Sequence, residues 1–301
     1  MKVDVLNQRD CIKRIVNSKV LRPAYARGDD AEDTNLVRVS SIGSSPRSRS
    51  HHSEHIPVQT SLPGCEFDGA AMNQMMTNFP GESRIDVHRF LIARKGNVRA
   101  ATDMMKNSIN WRKENLPATV ETIGDALNLN CLFIGKPALD GSATLYFRSA
   151  FFDSRKIPSE QFVLCAAHGV EYAIKNGAVA MTVMVDISII PGAPNLSADL
   201  KFIQKFAQVM SDVYPERLRR LLVYPFPWYG KAIWSLISMF LDPRTKDKVI
   251  LVAAKEDERL PSEVSNYVSP YDIPAAVGGK DRKSPLPNMR NTLSQPMTPP
   301  R

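Results

Sequence analysis

Nine residues, VAMTVMVDI (179–187), constrain the fold more than any other stretch. A strand with one wet face alternates apolar and polar residues. A near-continuous apolar run demands cover on both faces, as in a parallel sheet beneath helices. The flanking pattern agrees with this. Ser159–Lys175 and Ser197–Val213 read as helices, Arg219–Tyr224 and Lys248–Ala253 as further strands, and Trp228–Leu241 as an apolar helix between them. A last helix is expected near Ser262. Upstream, CLFIGK (131–136) and TLYFRSAFF (144–152) read as strands joined through the turn Asp140-Gly141. Strands alternating with helices predict an α/β fold.

Ahead of the sheet, Met72–Asn115 is helical in pattern. Val98, Ala101, Met105 and Ile109 recur at helical spacing, Asn97 is a suitable N-cap, and Leu116-Pro117 ends the run. The expected organisation is a helical module over 72–120 and an α/β domain over 121–283. Residues 1–63, centred on SSIGSSPRSRSHHSEH, and residues 284–301 are too polar to offset the entropy of ordering and are expected to be disordered tails. Ile12, Ile15, Val16 and Val20, alternating with Arg9, Lys13, Arg14 and Lys19, give residues 5–20 the pattern of a short basic helix.

The net charge of +8 lies in those tails. Residues 1–60 and 281–301 each carry +3, leaving +2 on residues 61–280. A nearly neutral folded part is not a nucleic-acid face, whereas basic tails suit weak attraction to anionic membranes. The four cysteines (Cys11, Cys65, Cys131, Cys165) form no CxxC pair, which argues against zinc and fits a reducing compartment. The first thirty residues hold no signal-peptide core. The fourteen residues of Trp228–Leu241 would span about 21 Å as a helix, too short for a bilayer core of ~30 Å. The expectation is a soluble, cytoplasmic protein that meets membranes transiently.

Catalytic motifs are missing from the sequence: there is no GxSxG, no GxxxxGK[ST] and no GxGxxG. Six positions after each cysteine stand Asn17, Ala71, Pro137 and Glu171, never the arginine of a phosphatase loop. His88 and His168 read as structural histidines. Asp186, where an α/β sheet presents residues to ligands, reads as a cap or loop hydrogen-bonder. No catalytic residue, metal or cofactor is expected.

Three stretches resemble the CRAL-TRIO family of lipid-binding proteins, in particular its yeast-type phosphatidylinositol/phosphatidylcholine transfer branch. They are HRFLIARKGNVRAATDMMKNSINWRKENLP (88–117), VYPERLRRLLVYPFPWYGKAIWSLISMFLDPRTKDKVIL (213–251) and DIPAAVGGK (272–280). The resemblance spans residues 72–280 and implies a mixed, mainly parallel sheet flooring an apolar lipid pocket, with a mobile helix as lid. It implies a non-enzymatic carrier of one phospholipid, with phosphatidylinositol and a membrane surface as partners. It further implies that Arg94 and Lys95, Glu216 and Arg217, and Thr245 and Lys248 hold an inositol phosphate head. Cationic donors, a hydroxyl and an acceptor suit a phosphodiester beside a ring of hydroxyls. The implied lid is Trp228–Leu241, where Lys231, Ser235 and Ser238 form one narrow polar stripe and Trp228, Ile233, Trp234, Ile237 and Phe240 cover the rest. One departure stands out. Two small hydroxyl residues serve the family's phosphatidylcholine site, and the matching positions here are Met181 and Val183, with only Thr182 between them polar. The alternatives are a carrier of a retinoid, tocopherol or sterol, and a lipid-sensing regulatory scaffold.

Overall fold

A computed structural model describes residues 69–195, 199–227, 230–255, 258–283 and 289–293. The expectations for residues 1–63 and for Trp228 fall outside the described residues, as does Ser197.

The helical stretch resolves into three helices, α1 (Gly69–Asn78), α2 (Arg84–Ala93) and α3 (Val98–Asn115). Ser83 caps α2 by accepting the Asp86 N–H at 3.1 Å, and Asn97 caps α3 by accepting the Ala100 N–H at 3.0 Å. Met75, Val87, Leu91, Ala101 and Met105 bury themselves in a core of their own. A fourth helix, α4 (Val120–Asn128), has no counterpart in the sequence reading. Thr119 and Thr122 start it, the Thr119 N–H donating to Thr122 Oγ1 at 2.9 Å.

The sheet has strand order β1-β2-β3-β4-β5, with β1 (Leu132–Gly135), β2 (Ala143–Arg148), β3 (Met181–Asp186), β4 (Leu218–Phe226) and β5 (Val249–Ala253). Only the β1–β2 pair is antiparallel. The second strand stops at Arg148 rather than running to Phe152, because Ser149–Phe151 turns as a 3-10 helix. The segment near Ser262 is likewise a 3-10 turn, Ser262–Asn266. Two longer helices connect the strands, α5 (Ser159–Lys175) and α6 (Leu200–Val213), the latter capped by Asp199.

The two faces of the sheet differ in cover. Tyr146, Met184, Leu222 and Tyr224 point to one face and are fully buried. Residues 258–283 close that face through Val264, Val268, Ile273 and Val277. Gly278 and Gly279 make this closure possible: Gly278 takes φ +90°, and a Cβ on Gly279 would lie 1.9 Å from the Ile273 carbonyl oxygen. On the opposite face α5 and α6 cover the first strands, with Leu145 against Gly169 and Phe147 tilted on Phe202. Beyond them Val185, Leu221, Val223, Val249 and Leu251 are apolar yet half-buried.

After β4 the expected long apolar helix is shorter than fourteen residues. It consists of α7 (Lys231–Ser238), a turn through Met239 and Phe240, and a separate short helix α8 (Pro243–Asp247). Asp242 and Pro243 impose the break, as an N-cap followed by proline in the first turn. Residues 289–293, placed by composition in a polar tail, instead dock on the domain. Met289 is 2% exposed, and Thr292 Oγ1, within α9 (Arg290–Leu293), lies 2.8 Å from His168 Nε2.

Candidate functional site

The loops that feed β4 and β5 meet at the amino ends of those strands. Glu216 stands two residues before β4, and its carboxylate holds two cations from the segment before β5. Oε2 accepts from Lys248 Nζ at 3.0 Å, and Oε1 accepts from Arg244 Nη1 at 3.4 Å. The same Arg244 nitrogen donates to the Ile92 carbonyl at 3.3 Å, which ties this corner to the end of α2. Arg94 and Lys95 follow there in the α2–α3 turn, exposed and without a side-chain partner among the described residues. Thr245 sits on α8 between Arg244 and Lys248. Its hydroxyl donates to Asp242 Oδ2 at 2.5 Å and its N–H to Oδ1 at 3.0 Å. Although burial opposes ionisation of Asp242, these bonds hold its pKa below the usual carboxylate range.

Five of the six expected head-group residues therefore belong to one charged corner. Arg244, which the sequence reading passed over, joins them. The signal for it was available: positions 244 and 248 are four apart, a spacing that puts two side chains on one side of a helical turn.

The backbone at this corner is unusual. Among the described residues the non-glycine positive-φ positions are Lys95 (52°), Asn130 (48°), Asn195 (45°) and Glu216 (55°). Asparagine enters this region readily, whereas lysine and glutamate pay about 1 kcal/mol or more. The two residues unsuited to it, Lys95 and Glu216, are both among those expected at the head group.

Arg217 is placed differently from the expectation. Its guanidinium, 12% exposed, pairs with Asp86 and donates to the carbonyls of Ala178 (3.2 Å) and Val179 (3.3 Å). Burial pulls its pKa down. Beside it Arg89, 1% exposed, donates to the Glu216 carbonyl at 2.6 Å and the Val179 carbonyl at 2.5 Å, and burial together with Arg217 brings its pKa down to about 10. The two arginines fasten α2 to the segments leading into β3 and β4. No sequence signal separates Arg89 from a surface arginine of an amphipathic helix.

The other expectations can be placed as well. Trp234 and Ile237 on α7 are half-buried, Phe240 is 36% exposed and Met239 is 64% exposed. Ile233 lies on α7, with its side chain outside the described ones. Met181 and Val183 are buried at 3% and 9%, while the Thr182 hydroxyl lies on the opposite face, 2.7 Å from Ser142 Oγ. His168 is fully buried and burial lowers its pKa. Asp186 accepts the Ser188 N–H at 2.9 Å and pairs with Arg259 at 3.1 Å. Among the described residues no helix is long and apolar enough to cross a membrane.

Comparison with known proteins gives this geometry its context. A model of the CRAL/TRIO domain, whose members are lipid-binding and lipid-transfer proteins rather than enzymes, matches residues 127–279. Patellin-1 of Arabidopsis thaliana is 25% identical over 221 residues, covering 68% of this chain and 38% of the relative. The phosphatidylinositol transfer protein CSR1 of Eremothecium gossypii is 25% identical over 240 residues, 72% of this chain and 52% of the relative. The chain thus spans about half or less of these relatives' length. Among solved structures, that of Sfh5 superposes with a TM-score of 0.56 at 16% identity, covering 74% of this chain and 91% of that one, a likeness of fold. The matched domain takes up half of the sequence, and the chain belongs to the CRAL/TRIO domain family.

Proposed function

We propose that the protein holds one inositol phospholipid and transfers or presents it at membranes. The head sits at the corner of Arg94, Lys95, Glu216, Arg244, Thr245 and Lys248, and the acyl chains lie along the half-buried apolar face of the sheet. The observation that carries this reading is the single carboxylate of Glu216 holding both Lys248 and Arg244 beside the unpartnered Arg94–Lys95 turn. Two cations on one carboxylate, with two more in the Arg94–Lys95 turn, supply donors for a phosphodiester, and Glu216 remains as an acceptor for ring hydroxyls.

The chains need an apolar surface shielded from water. Sequential parallel strands joined by right-handed crossovers put their connecting helices on one face. Topology therefore puts the crossover through α7 and α8 on the same side of the sheet as α5 and α6, the side of Val185, Leu221, Val223, Val249 and Leu251. Each buried CH₂ contributes ~0.8 kcal/mol, so a two-chain lipid leaves a bilayer slowly unless a protein offers an alternative. With the exposed Met239 and Phe240 in the turn that follows it, α7 is the lid that opens on contact with lipid. Arg217 holds the scaffold of the site rather than the head group.

Mass spectrometry of lipids co-purified with the full chain is expected to find phosphatidylinositol, one per protein. Lys95→Ala with Lys248→Ala is expected to abolish loading while the far-ultraviolet circular dichroism stays unchanged. Equal loading of the double variant would overturn the head-group assignment.

A further inference from the structure

The carboxyl ends of β2, β3 and β4 carry a second polar cluster, which the head-group corner does not use. Arg148, Asp186 and Tyr224 are register partners across three adjacent strands, so they share one face at about 4.8 Å intervals. They are 9%, 3% and 0% exposed. This is the end of an open α/β sheet at which ligands ordinarily bind. Residues 258–283 close over the row, where Arg259 donates to Asp186 Oδ2 at 3.1 Å and to the Ala276 carbonyl. The Phe151 ring lies 3.9 Å from Arg148 Cζ.

The hydrogen-bond balance here is one-sided. The carboxylate of Asp186 is already engaged on both oxygens, by Ser188 N–H and by Arg259. Left buried without partners are Arg148 Nε, Arg259 Nε, Tyr224 OH and Ser188 Oγ. Among the described residues no hydrogen bond reaches any part of the Arg148 guanidinium, which has five donors and no acceptor. Two arginines face one carboxylate, leaving an excess of one positive charge. A buried donor without a partner costs on the order of 1–3 kcal/mol, and a buried charge such as that of Arg148 costs more, while the Arg259 side chain is 33% exposed. Water brings as many donors as acceptors and no charge, so it relieves only part of the deficit. A small anion brings acceptors alone and offsets the charge.

We infer that Arg148, Arg259, Tyr224 and Ser188 form an internal binding site for one small inorganic oxyanion of the phosphate or sulfate type. Glu216 and Lys248 precede β4 and β5, whereas this row lies where β2 to β4 end. Along β4 that separation is about 20 Å. The site therefore does not rest on the lipid reading.

Isothermal titration of the full chain with sodium sulfate and sodium phosphate, in sodium chloride at matched ionic strength, tests this assignment. One oxyanion per chain is expected, with a matching rise in the thermal midpoint. Arg148→Met is expected to abolish binding. Tyr224→Phe, which keeps the ring and removes one donor, is expected to weaken it several-fold. The Lys95→Ala, Lys248→Ala double variant, altered at the other end of the sheet, is expected to bind as wild type does. No isotherm in wild type would overturn the assignment. So would an isotherm that survives in Tyr224→Phe at full strength, or one lost in the lysine double variant. Should Arg148→Met not fold, Tyr224→Phe decides the matter.

Discussion

Glu216 and Arg217 are adjacent in the sequence and do opposite work. The carboxylate of Glu216 faces an open corner, where it shares two cations at 3.0 and 3.4 Å. The guanidinium of Arg217 turns toward Asp86 and two backbone carbonyls, with Arg89 beside it. In the first cluster the cations are partly exposed; in the second the arginines are buried or nearly so. An ion pair in water contributes under about 1 kcal/mol, whereas removing one partner of a buried, hydrogen-bonded pair costs several. Charge alone therefore says little about role, and burial decides it.

That contrast can be broken from either side. Arg89→Ala should cost about 3–5 kcal/mol of stability, because it strands two carbonyls and leaves Asp86 facing Arg217 alone. Urea unfolding monitored by tryptophan fluorescence would show the loss, and a shift under 1 kcal/mol would make the buried cluster no more than a surface one. The next largest effect is expected at the proposed lid. Replacing Phe240, at 36% exposure, by Asp should slow vesicle-to-vesicle transfer at least about tenfold, the effect of 1.4 kcal/mol on a barrier. Its stability should fall by about 1 kcal/mol or less. Ile237→Asp should behave similarly in transfer, and two variants that simply unfold would assign α7 to the core. Lys248→Ala is expected to leave the unfolding midpoint nearly unchanged, within about 1 kcal/mol, while lipid loading drops. A large stability loss with loading intact would place Lys248 with Arg217. The smallest effect concerns selectivity. Restoring hydroxyls with Met181→Ser and Val183→Thr should raise phosphatidylcholine uptake relative to phosphatidylinositol, measured by competitive loading. If wild type already takes both equally, the match of those two positions to the family pattern fails.

The alternation of helices and strands was legible in the sequence because it depends on periodicity. The apolar run 179–187 led directly to a central strand, and Asn97 to a helix start. Lengths were less legible. TLYFRSAFF continues to look like a strand past Arg148, yet the chain turns there because Arg148 and Phe151 pack on each other. The apolar stretch through Leu241 reads as one helix, and Asp242 with Pro243 starts another. At the site, residue types were readable and their engagements were not. The family resemblance points to Arg94, Lys95, Glu216, Arg217, Thr245 and Lys248, but nothing local distinguishes the arginine that faces solvent from the one that is buried. Which partner each charge finds is fixed by contacts distant in the chain, 32 residues for Glu216 with Lys248 and 131 for Arg217 with Asp86. His168 met its partner, Thr292, only because residues 289–293 return to α5.

The left-handed backbone at Lys95 and Glu216 sets a limit on how this protein can be improved. A laboratory selection for heat resistance would favour glycine or asparagine at position 95, since either relaxes the turn and the exposed lysine side chain holds nothing among the described residues. Lys95→Gly should raise the melting temperature slightly or leave it level. The same change would remove one of the cations assigned to the cargo. Robustness and cargo retention are thus set against each other at a single codon, and a library screened for folding alone would drift toward sturdy, empty carriers.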